Sequence, residues 1–144
     1  MLALLQRVIE AAVSVDSERV ASIGPGLLIF VGVLPADTTA IAERLADRAL
    51  DLRIFPDSAK PMNRSVIDVG GEVLVVSQFT LAADTTRGRR PSFDTAAPPE
   101  QAERLYLDFV QRVRARAGLV ATGRFGADMK VSLVNDGPVT FLLD

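Results

Sequence analysis

Short apolar runs separated by polar turns dominate this chain, and only two stretches space their apolar residues for a helix. Leu2 to Ile9 reads as a strand, interrupted in polarity at Gln6 and Arg7. Ala12 to Val15 and Arg19 to Ile23 flank the turn Asp16-Ser17-Glu18, the pattern of a hairpin. Leu27 to Val33 is continuously apolar within Gly and Pro boundaries, which predicts a buried strand. Val73 to Phe79 is a second such run, mostly β-branched. Lys130 to Val134 and Val139 to Leu143 predict two closing strands joined by the turn Asn135-Asp136-Gly137-Pro138.

The first helical stretch runs to about Leu52 with Asp37 as its cap, and places Ile41, Leu45, Ala49 and Leu52 on one face. The second begins near Pro98-Pro99 and ends at Gly118, with proline in the first turn and glycine just past the end. Ala102, Leu105, Phe109, Val110 and Val113 make its apolar face; Arg104, Arg112, Arg114 and Arg116 lie off it, in solvent. Between the helices, Arg53-Ile54-Phe55 is a short extended piece and residues 56–69 read as a loop. Strands outnumber helices and some pair through tight turns. The expected class is α+β, a mainly antiparallel, barrel-like sheet with two packed helices. Strand order does not follow from this pattern.

Composition narrows the chemistry. The 144 residues suit one domain spanning 1–144, and a 49% hydrophobic content can fill its core. There is no His and no Cys, which removes the Ser-His-Asp and Cys-His mechanisms, thiolate chemistry and Cys-based zinc sites. Neither a metal nor a cofactor is expected. Arg7 and Glu10 interrupt the apolar start, so it does not read as a signal peptide. The longest apolar run, Ile23 to Ala36, is too short and too broken by Gly and Pro for the roughly 20 residues a bilayer needs. The absence of cysteine fits a cytoplasmic location. A net charge of −2 argues against indiscriminate nucleic-acid binding but leaves room for a local basic patch.

Four segments are candidates for function. Ser77-Gln78-Phe79-Thr80-Leu81 ends the strongest strand and sets polar groups at the rim of a rigid element. As a strand it puts Ser77 and Phe79 on one face, Gln78 and Thr80 on the other. It reads equally as a strand terminus with a solvated hydroxyl. A hydroxyl nucleophile needs a base, and the only lysines, Lys60 and Lys130, are distant in sequence. Asn135 to Thr140 reads as a hairpin with Asp-Gly in its turn, or as a special turn with a cis Gly137-Pro138 bond. Arg87, Arg89 and Arg90 beside Gly88 form either a phosphate grip or an exposed basic loop. Gly123-Arg124-Phe125-Gly126 has a G-x-x-G form but lacks the setting of an RNA-binding KH loop.

Taken together and in order, these segments resemble the bacterial D-aminoacyl-tRNA deacylases from end to end. The two main motifs are Ser77 to Leu81 and Asn135 to Thr140. Support comes from Leu5-Gln6-Arg7-Val8, Gly24-Pro25-Gly26-Leu27, Leu52 to Phe55, Gly88 to Phe93 and Gly123 to Met129. The resemblance implies a homodimer that hydrolyses the ester between a D-amino acid and tRNA, with glycyl-tRNA as a further substrate. It implies a cis Gly137-Pro138 that enters the partner subunit's site and excludes L-amino acids, with Arg7 supporting it. It places Phe125 and Met129 near the terminal adenosine. Ser77, Gln78, Phe79 and Thr80 become catalytic candidates, and Arg87, Arg89 and Arg90 candidates for tRNA contact. Two roles for Thr80 stay open: nucleophile, or bystander to water activated by the adenosine 2′-hydroxyl. With no His and no nearby Lys, the second is favoured. Neither DNA nor a membrane is an expected partner. Leu2 and Ala82 depart from the resemblance, where relatives often carry a basic residue and an aromatic. A non-catalytic RNA-binding module is the alternative.

Overall fold

The computed structural model describes residues 1–144. Six strands and two helices follow in the order β1 (Leu2–Val15), β2 (Glu18–Ile23), β3 (Gly26–Gly32), α1 (Thr39–Asp51), β4 (Glu72–Ser77), α2 (Pro99–Arg116), β5 (Val120–Thr122) and β6 (Lys130–Leu143). One sheet holds all six. β1 carries β2 and then β3 along one edge and β6 along the other, all antiparallel. β3 pairs with β4, and β4 with β5, in parallel.

The sheet is therefore mixed rather than mainly antiparallel. The reason lies in the connections: β3 reaches β4 through α1 and β4 reaches β5 through α2, and a helical crossover returns the chain in the same direction. β2 curls round to pack on β4 and β5, so the sheet nearly closes on itself.

Alternation along β3 and β4 divides the core in two. Leu27, Ile29, Val31, Val73 and Val75 face the helices, where Leu45, Ala49, Leu50, Leu105 and Phe109 meet them. Leu28, Leu74 and Val76 face the other way, into the curl of the sheet, with Val8, Val13 and Ile23. A strand buried on both faces has no polar side to show, which is why both runs are continuously apolar.

Helix α1 starts two residues later than its apparent cap. Thr38, not Asp37, accepts the N–H of Ile41, at 3.3 Å. Asp37 is buried instead and accepts from the Met1 ammonium at 2.5 Å and from the Leu34 N–H at 2.6 Å. On α2 the expected apolar face is all buried, joined by Tyr106. Of its arginines, Arg112 and Arg116 are not merely solvated. They grip Asp47 and Asp51 of α1 at 2.6–2.9 Å and lock the two helices together. The Arg112 hydrogen bond, followed by that of Arg116, holds the Asp47 carboxyl below its ordinary pKa.

Two further expectations are corrected. Leu2 to Val15 is one strand, not a strand followed by a hairpin arm, because local register shifts absorb the breaks in alternation. Nor do Lys130–Val134 and Val139–Leu143 pair with each other as a hairpin. Both lie on β1 as parts of β6.

Candidate active site

β4 ends at Ser77, where the chain leaves the strand for a single 3₁₀ turn, Phe79–Ala82. Gln78 is the hinge: its N–H donates to the Val31 carbonyl at 2.8 Å, and its carbonyl accepts from the Leu81 N–H at 3.2 Å. The turn can lie this close to β3 because residue 32 is glycine. A Cβ there would stand 3.0 Å from the Leu81 Cβ and 3.1 Å from the Gln78 carbonyl oxygen. The turn also breaks the expected alternation of faces. Ser77, Gln78 and Phe79 all line one cavity, and Thr80 stands exposed outside its wall. The Thr80 hydroxyl accepts from the Gln78 side-chain amide, and no carboxylate or amine bonds to it. The leading N–H groups of the turn, those of Phe79 and Thr80, have no partner within it.

The cavity holds about 430 Å³. Its opposite wall is the segment after β5, with Phe125, Gly126 and Met129, and its floor includes Ala97, just before α2, and Ala102, near the start of α2. Phe125 is fixed from behind by Tyr106, with ring centroids 5.9 Å apart. The Tyr106 hydroxyl donates to the Val75 carbonyl at 2.9 Å, and burial raises its pKa to about 12. Met129 packs under Gly123, where a Cβ would come within 2.8 Å of its sulfur. The mostly apolar wall, with backbone amides and the Ser77 hydroxyl at one end, suits a flat ring system joined to a polar group. No three acidic side chains converge to hold a metal ion.

Arg87, Arg89 and Arg90 lie on the exposed tip of the loop that follows the 3₁₀ turn. The loop's base is tied by Asp84 and Ser92, whose backbones exchange two hydrogen bonds of 2.9 Å. The Asp84 carboxylate also accepts the Thr86 hydroxyl and N–H, which lower its pKa.

Gly137 and Pro138 are elsewhere. In the β1–β6 ladder Gln6 faces Thr140 and Val8 faces Asn135, so residues 136–139 bulge out opposite Arg7 alone. Arg7 fills the space beneath them. Its guanidinium donates to the Asp136 carbonyl at 3.2 Å and the Ile54 carbonyl at 2.7 Å, and lies 3.4 Å from the Asp136 carboxylate. Asn135 closes the bulge by accepting from the Val139 N–H and donating to the Thr140 hydroxyl. The Gly137–Pro138 peptide is cis, and Gly137 has φ +130°, a conformation that glycine alone adopts readily. Leu27 marks this level of β3 and Val31 the level of Ser77, about 13 Å apart along the strand. One chain thus brings Ser77, Gln78, Phe79, Phe125 and Met129 together, and leaves Gly137, Pro138 and Arg7 outside their cavity.

Sequence reasoning overlooked Tyr106, although it sits four residues after Ala102 on the same helical face. It also overlooked Gly32, whose only signal is a glycine in an otherwise apolar run.

The model of the family described as D-Tyr-tRNA(Tyr) deacylase matches residues 4–144. A D-aminoacyl-tRNA deacylase of Stenotrophomonas maltophilia is 62% identical over 144 residues, covering 99% of each chain. One from Syntrophotalea carbinolica is 57% identical, over 100% of this chain and 97% of its own. Among solved structures, a protein described as c-Myc DNA Unwinding Element Binding Protein superposes with a TM-score of 0.94 at 40% identity, covering 100% of this chain and 98% of its own. A probable eukaryotic D-amino acid tRNA deacylase superposes at 0.86 over 99% of this chain and 97% of its own. At 18% identity that likeness concerns the fold. No helix is long and apolar enough to cross a membrane.

Proposed function

The chain belongs to the D-aminoacyl-tRNA deacylase family, hydrolases acting on aminoacyl-tRNA, and we propose that it works through the cavity between β4 and the Phe125–Met129 segment. The observation that carries this reading is the meeting of the Ser77–Phe79 strand end with Phe125 and Met129 around one space. The terminal adenosine lies between Phe125 and Met129, and the ester carbonyl sits at the strand end. Water attacks that carbonyl, the bond to the 3′-oxygen breaks, and the proton passes to the leaving oxygen. Backbone N–H groups at Ser77, Phe79 and Thr80 steady the oxyanion. The adenosine 2′-hydroxyl activates the water, since Thr80 has no base beside it.

Chirality is read by a second copy of this chain. Its Gly137 and Pro138 close the cavity, and their carbonyls accept the substrate's α-ammonium. An L side chain would run into those carbonyls; a D side chain points away, and glycine has none to exclude. Arg7 holds the bulge in place from below. Arg87, Arg89 and Arg90 contact the tRNA phosphates. The protein acts in the cytoplasm as a single domain, without a cofactor.

The test is release of amino acid from D-tyrosyl-, L-tyrosyl- and glycyl-tRNA. The D and glycyl forms should be cleaved and the L form spared. Equal rates for D and L, or no release from the D form, overturn the reading. Salt-dependent tRNA binding without cleavage would instead favour a non-catalytic RNA-binding module.

A further inference from the structure

Two aromatic rings, that of Phe79 on the cavity wall and that of Phe93 packed against it, have no part in the chemistry above. Phe79, on the 3₁₀ turn, is 55% exposed and Phe93 is 41% exposed. Their centroids are 4.9 Å apart with planes inclined by 57°, so they form one apolar surface open to solvent. The backbone that carries Phe93 is held in place. Phe93 follows directly on Ser92, whose backbone is bonded to Asp84, and the Phe93 carbonyl accepts the Ala96 N–H at 3.0 Å.

The same loop carries Arg87, Arg89 and Arg90. All three are exposed, and none pairs with a carboxylate. On α2, by contrast, Arg112 and Arg116 are committed to aspartates of α1, while Arg114 is unpaired like the loop arginines but has no exposed aromatic pair on its element. Unpaired cations beside exposed aromatic rings are what single-stranded nucleic acid engages, phosphates on one and bases on the other.

We propose that Phe79 and Phe93 form a stacking platform for the nucleobase next to the terminal adenosine, with Arg87, Arg89 and Arg90 holding the adjoining phosphates. This rests on the cavity being the terminal-adenosine site. A stack on these rings tolerates any base and fixes the strand's exit from the cavity. Phe93 then binds the strand beside the terminal adenosine and takes no part in cleavage of the ester.

Three substrates separate this role from a structural one: D-tyrosyl-tRNA, the same tRNA with an abasic penultimate nucleotide, and the D-tyrosyl ester of adenosine alone. Phe93→Ala should raise KM for the intact tRNA by roughly 5- to 150-fold, the factor for one base–aromatic stack, with kcat little changed. It should leave hydrolysis of the adenosine ester as in the wild type, and Phe93→Trp should restore the lost affinity. The abasic tRNA should already show the raised KM with wild-type protein, and Phe93→Ala should add nothing further. The proposal is overturned if wild-type protein binds abasic and intact tRNA alike. It is also overturned if Phe93→Ala slows the adenosine ester as much as the tRNA, because Phe93 would then only prop the cavity. Failure of the wild-type protein to cleave any of the three would overturn the deacylase reading itself.

Discussion

Thr80 is the residue whose role separates the two mechanisms most sharply. It lies in the turn just past a strong strand, and its hydroxyl is exposed and engaged only by the Gln78 amide, which supplies no base. Thr80→Ala should therefore keep activity within about tenfold of wild type, well short of the loss expected when a nucleophile is removed. D-tyrosyl-tRNA ending in 2′-deoxyadenosine should be nearly inert to both proteins. Single-turnover release rates decide the matter: a dead Thr80→Ala together with cleavage of the deoxy substrate reverses the assignment. Tyr106 gives a second prediction at this scale. Burial lifts its pKa from 10.0 to about 12, so the fold keeps a proton that the unfolded chain releases near pH 10. The stability this confers is complete below the unfolded value and drains away as pH climbs from about 10 to about 12. Tyr106→Phe should flatten that part of a plot of Tm against pH. At neutral pH it should cost only about 1 kcal/mol, because the Val75 carbonyl keeps the Gly123 N–H at 3.0 Å. An unchanged slope would assign the alkaline decline to other groups.

Among the elements, the 3₁₀ turn carries the N–H groups that the proposed mechanism uses, and Gly32 lets it lie close to β3. Gly32→Val would press branched carbons into the Leu81 side chain and the Gln78 carbonyl. Overpacking of this kind costs roughly 1–3 kcal/mol. Deacylation should fall by more than the loss of folded protein explains, because the displaced turn carries the Phe79 and Thr80 N–H groups. Circular dichroism melts paired with kcat separate the two effects, and activity that merely tracks the folded fraction would refute a positioning role. The turn itself was not legible in the sequence, since Phe79-Thr80-Leu81 continues an apolar strand in polarity and differs only in its hydrogen bonds. β3, β4 and both helices were legible, because burial on two faces or on one stripe writes itself into the apolar spacing. β1 and β6 were not. The pattern cuts β1 after Ile9 and β6 at Asn135 to Pro138, and nothing in it shows that Arg7, inside the first run, and Asn135 to Pro138 are in space two halves of one feature, a bulge and the arginine beneath it. A contact between residues 129 positions apart leaves no periodic trace. The candidate residues were legible as motifs, whereas their division into a cavity group and an outlying group needed the strand order.

That division is a statement about the whole molecule. Gly137 and Pro138 sit at the Leu27 level of the sheet and the cavity at the Val31 level, with β1 and β3 between β6 and β4. No rotation of the exposed Gly137-Pro138 tip of the bulge closes that gap, so a site using both groups draws them from two chains. Exposed apolar side chains at Ile9, Val134, Phe141 and Leu142 are available to cover such a contact. The consequence can be tested by complementation. Gly137→Ala places a Cβ 2.6 Å from a Val139 methyl at φ +130°, and should spoil the bulge while leaving the cavity intact. Phe125→Ala combined with Met129→Ala should spoil the cavity while leaving the bulge intact. Each protein alone should be nearly inactive on D-tyrosyl-tRNA. Unfolded together in equal amounts and refolded, they should recover about a quarter of wild-type activity, because random pairing makes half the dimers mixed and each mixed dimer has one complete site. If bulge and cavity served each other within one chain, every site in the mixture would carry a defect, and co-refolding would recover nothing.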